Sequence, residues 1–305
     1  GVTRYPYFEG SYAMRGSSVY QQTLNLTISE KQKLRRLLEE NYLPKNRVYR
    51  YNFFYDNCTT RARDIIEKCI EGKVVYSEGK ERLSFRDIVH QYTKGHEWDE
   101  LGIDMCLGSE ADKPIDTRKQ MFAPFYMLEA AKKATIVVGD SVRPLILHEK
   151  KVVDVEPEDV REGFPLSPMV CVFILIGVTC FVGWLQFKIR KIIWIWDLLL
   201  FGVQGLAGCV ITFLVFFSTH PTVGSNWLIL LLNPIPLIYL PVMVYRAIKG
   251  KKDYYHTINI VCLTSFMMIM PFIQQKFNVT VLPLALCLLI CSANHVLLYY
   301  RQNNK

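Results

Sequence analysis

The chain has 305 residues, half of them apolar by type, and 36 Lys and Arg against 28 Asp and Glu leave a net charge of +8. Residues 1–166 hold 26 residues of each sign, so the excess belongs to residues 167–305, where 10 basic residues meet only Asp197 and Asp253. A balanced polar part excludes a nucleic-acid binder, whose basic charge clusters on a folded surface, and 17 Tyr, 17 Phe and 5 Trp exclude a disordered chain.

In chain order, Ser29 opens SEKQKLRRLLEENYL with Gln32 three residues later, a capping-box pattern that predicts an amphipathic helix ending near Pro44. The run VYRYNFFY, residues 48–55, is aromatic and β-branched and predicts a buried strand or an extended lead-in. Ile65, Ile66, Cys69 and Ile70 then recur at helical spacing and Gly72 stops the element, which places Cys58 at a helix start. Ser84 is positioned to cap SFRDIVHQYTK, and HEWDELGIDMCLG reads as a short helix before a turn from Gly108 to Pro114. A helix from about Pro124 and short strands in TIVV and VRPLILH complete an α+β domain over 1–148. The charged, proline-bearing residues 149–166 predict a linker or an interfacial lead-in to the first apolar run.

Of nine cysteines, six lie in apolar runs, where a thiol is a small filler. Cys58 and Cys69, eleven residues apart on one helix, are separated by about 16 Å and are too far apart for a disulfide. Cys69 falls on the apolar stripe, so it belongs to the core. Cys58 is the residue able to do chemistry: a helix N-terminus favours a thiolate, Arg61 one turn on adds positive charge, and first-turn amides are placed to receive an oxyanion. Asp56 and Asn57 precede it as capping or turn residues. The competing reading is a structural cysteine bonded to Cys106. His90, His96 and His148 are the candidate proton carriers, none with a local signature. No cofactor or metal motif is expected to act here.

Five apolar runs follow, at 168–187, 192–218, 227–245, 258–273 and 279–300, and about 20 residues are needed to cross the hydrocarbon layer. The fourth is short, and Pro234, Pro236 and Pro241 predict a break or bend in the third. Nine Lys and Arg flank one set of span ends and Lys276 alone the other, which predicts a cytoplasmic tail and residues 1–166 outside. Asp197 is expected to pair between helices or snorkel. His220 and Asn226 bracket the external loop THPTVGSN and are the candidates to face lipid.

The stretch LNLTISEKQKLRRLLEENYLPKNRVYRYNFFYDNCTTRARDII, with LSFRDIVH and GIDMCLGSEADKP, resembles the Lnb N-terminal periplasmic domain family over about residues 10–135, most specifically in YNFFYDNCTTRARD. The five runs resemble the membrane region of the same lipoprotein N-acyltransferase family. The resemblance implies a permuted papain-like fold in a Gram-negative inner membrane, with Cys58 in the place of the nucleophile and no cofactor. It also implies that an acyl chain passes from phospholipid through a Cys58 thioester to the terminal amine of a diacylated lipoprotein. The histidine that this family carries in a Gly-His segment upstream of the aromatic run has no counterpart between Gly1 and Cys58. The expectation is therefore that base and part of the sheet precede Gly1. A membrane-tethered hydrolase of cell-wall peptides and a non-enzymatic scaffold are the alternatives.

Overall fold

The computed structural model describes residues 3–79, 82–156 and 164–303. The chain divides into two units, residues 1–88 with 114–162, and residues 89–113 with 163–305. The first is a mixed α+β unit and the second a bundle of apolar helices, as the sequence predicts. The boundaries differ in two places. The segment 89–113 clusters with the spans, and strand pairing continues to Val153, past the expected start of the linker at 149. Residues 157–163 of that linker lie outside the described residues.

The α+β unit starts with α1 (Tyr5–Met14) and β1 (Val19–Leu24), neither of which the sequence patterns predicted. Then come α2 (Ile28–Tyr42), α3 (Cys58–Cys69), β2 (Lys73–Val75) and α4 (Phe85–Thr93), the last running into the second unit. That second unit contributes α5 (Glu97–Cys106), after which α6 (Thr117–Gln120), α7 (Pro124–Lys133), β3 (Thr135–Val138), β4 (Ser141–Pro144) and β5 (Ile146–Val153) complete the fold. β1 pairs antiparallel with β5, and β2, β3 and β4 form a second antiparallel sheet. Gly72 ends α3 at φ +111°, where a Cβ would lie 2.3 Å from the Val137 carbonyl oxygen, so no other residue fits between α3 and β2. Cys69, Ile70, Ala131, Ala134, Ile136, Leu145 and Ile146 form the core, against which Leu34 and Leu37 of α2 pack.

α2 begins two residues earlier than expected because Thr27, not Ser29, caps it, in a reciprocal box with Glu30. Glu30 is fully buried, which explains the choice. Its carboxylate accepts from the Thr27 and Glu71 amides, and both of its oxygens accept from the Arg143 Nη2, at 2.6 and 2.7 Å. Burial pushes its pKa up, but those two amides and Arg143 outweigh it and hold the group below its ordinary value. A depressed carboxyl stabilises the fold fully above pH 4.5, its ordinary value, and loses that contribution as pH falls through the folded-state value. Glu30→Gln should cost about 3–5 kcal/mol at pH 7, as removal of one partner of a buried pair does. The melting temperature of the variant should also fall less than that of the wild type between pH 5 and the acid limit.

The five spans are Pro168–Ile189, Trp194–Phe217, Pro221–Ile248, Tyr254–Phe272 and Val281–Gln302. The fourth is longer than its apolar run because Asp253 caps a start at Tyr254, outside that run. The third is broken, as its prolines predict. A helical turn at Pro221–Gly224 and a 3-10 turn at Trp227–Leu230 precede the continuous helix Ile235–Ile248. The break leaves the Leu231 carbonyl without a helical partner, and Gln204 of span 2 donates its Nε2 to it at 2.8 Å. Close approach is possible because span 2 presents glycine there. A Cβ on Gly208 would lie 2.2 Å from the Asn233 carbonyl carbon, and one on Gly205 2.5 Å from the Leu237 Cβ.

Fully buried Asp197 of span 2 meets His295 of span 5 at 2.5 Å, and the His295 ring stacks on His256 of span 4. The interhelical pairing role is therefore the one Asp197 fills, rather than snorkelling. Gly208→Ala should lower stability by about 1–3 kcal/mol through overpacking against the broken span, although alanine is the better helix former. Gly177→Ala, where a Cβ meets nothing within 4 Å, should leave the melting temperature in detergent unchanged or raised.

Candidate active site

Cys58 occupies the first position of α3 with its side chain exposed and its thiol free. What holds it there is the residue before it. The Asn57 Oδ1 accepts from the amides of Thr59 and Thr60, both at 2.9 Å, while Thr60 Oγ1 accepts from the Asn57 amide at 2.8 Å. The Asn57 Nδ2 donates to the carbonyls of Phe53 and Phe122, both at 2.9 Å. One buried amide side chain thus ties the helix start to the aromatic run before it and to a segment 65 residues away.

The aromatic run is not a strand. Asn52 and Asp56 close a tight turn through paired backbone hydrogen bonds, and the Asn52 Oδ1 accepts from the Phe54 and Tyr55 amides. Phe54 points inward against Phe85 and Phe122, whereas Tyr51 and Phe53 remain about half exposed. Burial raises the Tyr51 phenol above its usual value, and the neighbouring Cys58 thiol is the next cause. Tyr51 is therefore part of the surroundings of the sulfur, which sequence reasoning missed. Its signal was the aromatic run itself, read only as packing.

Two expected roles change. The first-turn amides of Thr59 and Thr60 are taken by the Asn57 cap, so the Cys58 N–H is the amide left to meet an oxyanion, with no partner among the described residues. Arg61 forms a two-pronged pair with Asp56 at 2.7 and 2.9 Å and lies 3.5 Å from the centre of the Tyr49 ring. Its charge is matched locally, and what it contributes is a braced turn. Asp56 and Asn57 act as the sequence suggests, as turn and cap. Cys69 is fully buried, and its Sγ donates to the Ile66 carbonyl. All nine cysteines are free, Cys58 and Cys106 included.

No hydrogen bond joins a histidine to Cys58 among the described residues. His148 engages Thr23 Oγ1 at 3.0 Å on the β1–β5 sheet. In the other unit, His90 meets Asp104 at 2.8 Å. His90, Glu100 and Asp104 are the described residues whose ligand atoms are close enough to hold a metal ion. Their atoms are already partnered, since Thr93 donates to Glu100 and Asn278 to Asp104, and these bonds account for the grouping without a metal.

Asn226 does not face lipid. It is buried, donating to the Met105 carbonyl and accepting from the Leu228 amide and Gln275, and so it fastens α5 to the loop after span 2. His220 is half-buried before Pro221, and its ring makes no capping bond.

Two family models match the chain: the Lnb N-terminal periplasmic domain over residues 1–94 and the Lnb transmembrane domain over residues 159–303. The chain belongs to the Lnb family. Its N-terminal unit is periplasmic and its C-terminal part is the membrane domain of that family. Neither the curated proteins nor the solved structures contain a match. Within this Lnb chain the exposed thiol lies inside the part that matches the periplasmic domain, on a helix start fixed by four side-chain hydrogen bonds of Asn57.

Asn57→Ala should destabilise the chain by about 1–2 kcal/mol, the upper range for a lost cap, and slow alkylation of Cys58 in thermal-shift and thiol-labelling assays. Asn57→Asp keeps the cap acceptors but leaves the Phe53 and Phe122 carbonyls without a donor. An intermediate melting temperature should result.

Proposed function

We propose that this Lnb chain is a cysteine-dependent lipoprotein N-acyltransferase of the bacterial inner membrane, with its C-terminal tail in the cytoplasm. The observation that carries the reading is the exposed Cys58 thiol at the first position of a capped helix, in a periplasmic domain joined to five apolar spans. The basic residues at one set of span ends support the orientation.

The Cys58 thiolate attacks an ester carbonyl of a phospholipid, forming a C–S bond and a tetrahedral oxyanion that the Cys58 N–H meets. Collapse breaks the C–O bond to glycerol, and the alkoxide takes up the proton that the thiol gave to the base. The deprotonated α-amine of a diacylglyceryl-cysteine lipoprotein then attacks the thioester carbonyl. A C–N bond forms, the C–S bond breaks, the proton lost by the nitrogen passes to the base, and the thiolate is regenerated. The half-exposed Tyr51, whose phenol feels the Cys58 thiol, belongs to the surroundings of the sulfur, and the Asp56–Arg61 pair braces the turn.

Membrane anchoring suits this chemistry. Drawing a sixteen-carbon chain into water costs on the order of 12 kcal/mol at about 0.8 kcal/mol per CH₂. A donor and an acceptor that both stay in the bilayer avoid that cost.

Cys58→Ala in cells should leave lipoproteins diacylated, read as a mass deficit of one acyl chain on the N-terminal peptide, and Cys58→Ser should retain at most a trace of activity. Full N-acylation in the Cys58→Ala strain, with no other acyltransferase present, would falsify the reading.

A further inference from the structure

The membrane unit contains an apolar cleft that none of the chemistry at Cys58 uses. Span 1 packs on span 5, span 2 on span 3, and span 4 on span 5, but no comparable packing joins span 1 to span 2 among the described residues. Thr179 and Gly183 bring span 1 close to span 5, at Cys287 and Asn294. Span 2 is instead drawn onto the broken span 3 by Gly205 and Gly208. The two sequential helices are thus pulled toward different partners.

Between them lies a cavity of about 450 Å³, lined by Leu175 of span 1, by one face of span 2 that includes Trp196, Leu199, Val203 and Ala207, and by Leu284 and Leu288 of span 5. Trp98, Leu101 and Met105 of α5 also line it. The Trp98 Nε1 donates to the Leu166 carbonyl just before span 1, and the Met105 carbonyl accepts from Asn226 beyond span 2, so α5 is fastened at both ends.

Three properties identify what fits. The lining carries no charge and few polar atoms: Gln204 commits its Nε2 to the Leu231 carbonyl and Trp98 its Nε1 to the Leu166 carbonyl, while the Gln204 Oε1 and the Trp196 Nε1 have no partner among the described residues, so an occupant is mainly hydrocarbon. The cleft is elongated, since the offset from Trp196 to Ala207 corresponds to about 16 Å of helix rise. A dry cavity of about 150 Å³ holds benzene with its six carbons, so this one holds on the order of eighteen, the length of a membrane fatty acyl chain. Entry is lateral: Leu199 and Val203 on its edge are 55% and 65% exposed on a span whose surroundings are hydrocarbon.

We infer that this cleft binds a single acyl chain of a membrane phospholipid, entering sideways between spans 1 and 2 and ending beneath α5. That the bound lipid is the acyl donor rests on the acyl-transfer reading; occupancy itself does not.

The test uses the full chain carrying Cys58→Ala, so that no probe is consumed. The protein is reconstituted in phosphatidylethanolamine vesicles with a trace of phosphatidylethanolamine bearing a photoactivatable diazirine in one acyl chain. Crosslinks should concentrate on peptides holding Leu199 to Ala207 and Leu284 to Leu288. They should fall at least fivefold on Leu284 to Leu288 in Ala207→Trp, which fills the cleft, and in Leu199→Trp, which blocks its exposed mouth. Phe213→Trp, equally exposed on span 2 but outside the cleft, should label as the parent does.

If Ala207→Trp does not fold, Leu199→Trp decides, because its side chain projects outward. Labelling spread evenly over exposed positions such as Phe173 and Ile238, or unchanged in Leu199→Trp at a normal melting temperature, would mean surrounding lipid only and overturn the inference. Because binding is read without turnover, its failure leaves the transfer chemistry at Cys58 standing. The reverse holds as well.

Discussion

Irregular backbone taken out of water must find its hydrogen-bond partners within the protein, and this requirement shapes both units. In the periplasmic unit the turn before α3 has no ladder to complete it, and Asn52 and Asn57 supply the missing acceptors and donors. In the membrane unit the broken third span leaves groups that Gln204, Asn226 and Gln275 take up. The same kind of side chain does the same work in both solvents. An amide offers one acceptor and two donor hydrogens without a charge, so it can be buried at lower cost than a carboxylate or an ammonium group.

For Cys58 the consequence cuts both ways. A cap that binds two first-turn amides fixes the helix start, and therefore the position of the sulfur, to a well-defined geometry. It also removes those amides from any role toward a substrate. A nucleophile needs a fixed position more than it needs every local dipole, since placing the reacting atoms well is worth several kcal/mol of barrier. The Asp56–Arg61 pair follows the same logic, turning a potential source of electrostatic activation into a brace. On the proposed reading, the activation of the thiol then falls to the base that takes its proton.

Local patterns in the sequence were readable where the determining interactions were themselves local. The start of α3 at Cys58, its end at Gly72, the capping of α4 by Ser84 and the five apolar runs are all set by residues within a few positions of one another. The cap of α2 was misplaced because Ser29 and Gln32 mimic the box that Thr27 and Glu30 form. What selects Glu30 is Arg143, 113 residues away. The bond from Asn57 to Phe122 and the proximity of Tyr51 to Cys58 were equally invisible, being products of tertiary placement. The aromatic run VYRYNFFY suits a strand or an extended lead-in by composition; it is not a strand, because Asn52 and Asp56 turn it back on itself.

The membership of residues 89–113 in the membrane unit was the least legible feature, and the reason is physical. The segment reads as ordinary amphipathic helix, and it is attached largely through backbone groups that any sequence possesses. The Gly108 and Ser109 amides donate to the Thr222 and Ser225 carbonyls, while the Met105 and Leu107 carbonyls accept from Asn226 and Gln275. A side-chain requirement that leaves a trace is Gly108, where a Cβ would lie 2.6 Å from the Ser225 backbone. Held at so many points, α5 cannot slide along the spans without breaking several hydrogen bonds in a place of low dielectric, where each is expensive to lose. A roof held in this way lets the helices beneath it diverge without collapsing onto one another, because hydrogen bonds as well as the packing of Met105 close the bundle at that end.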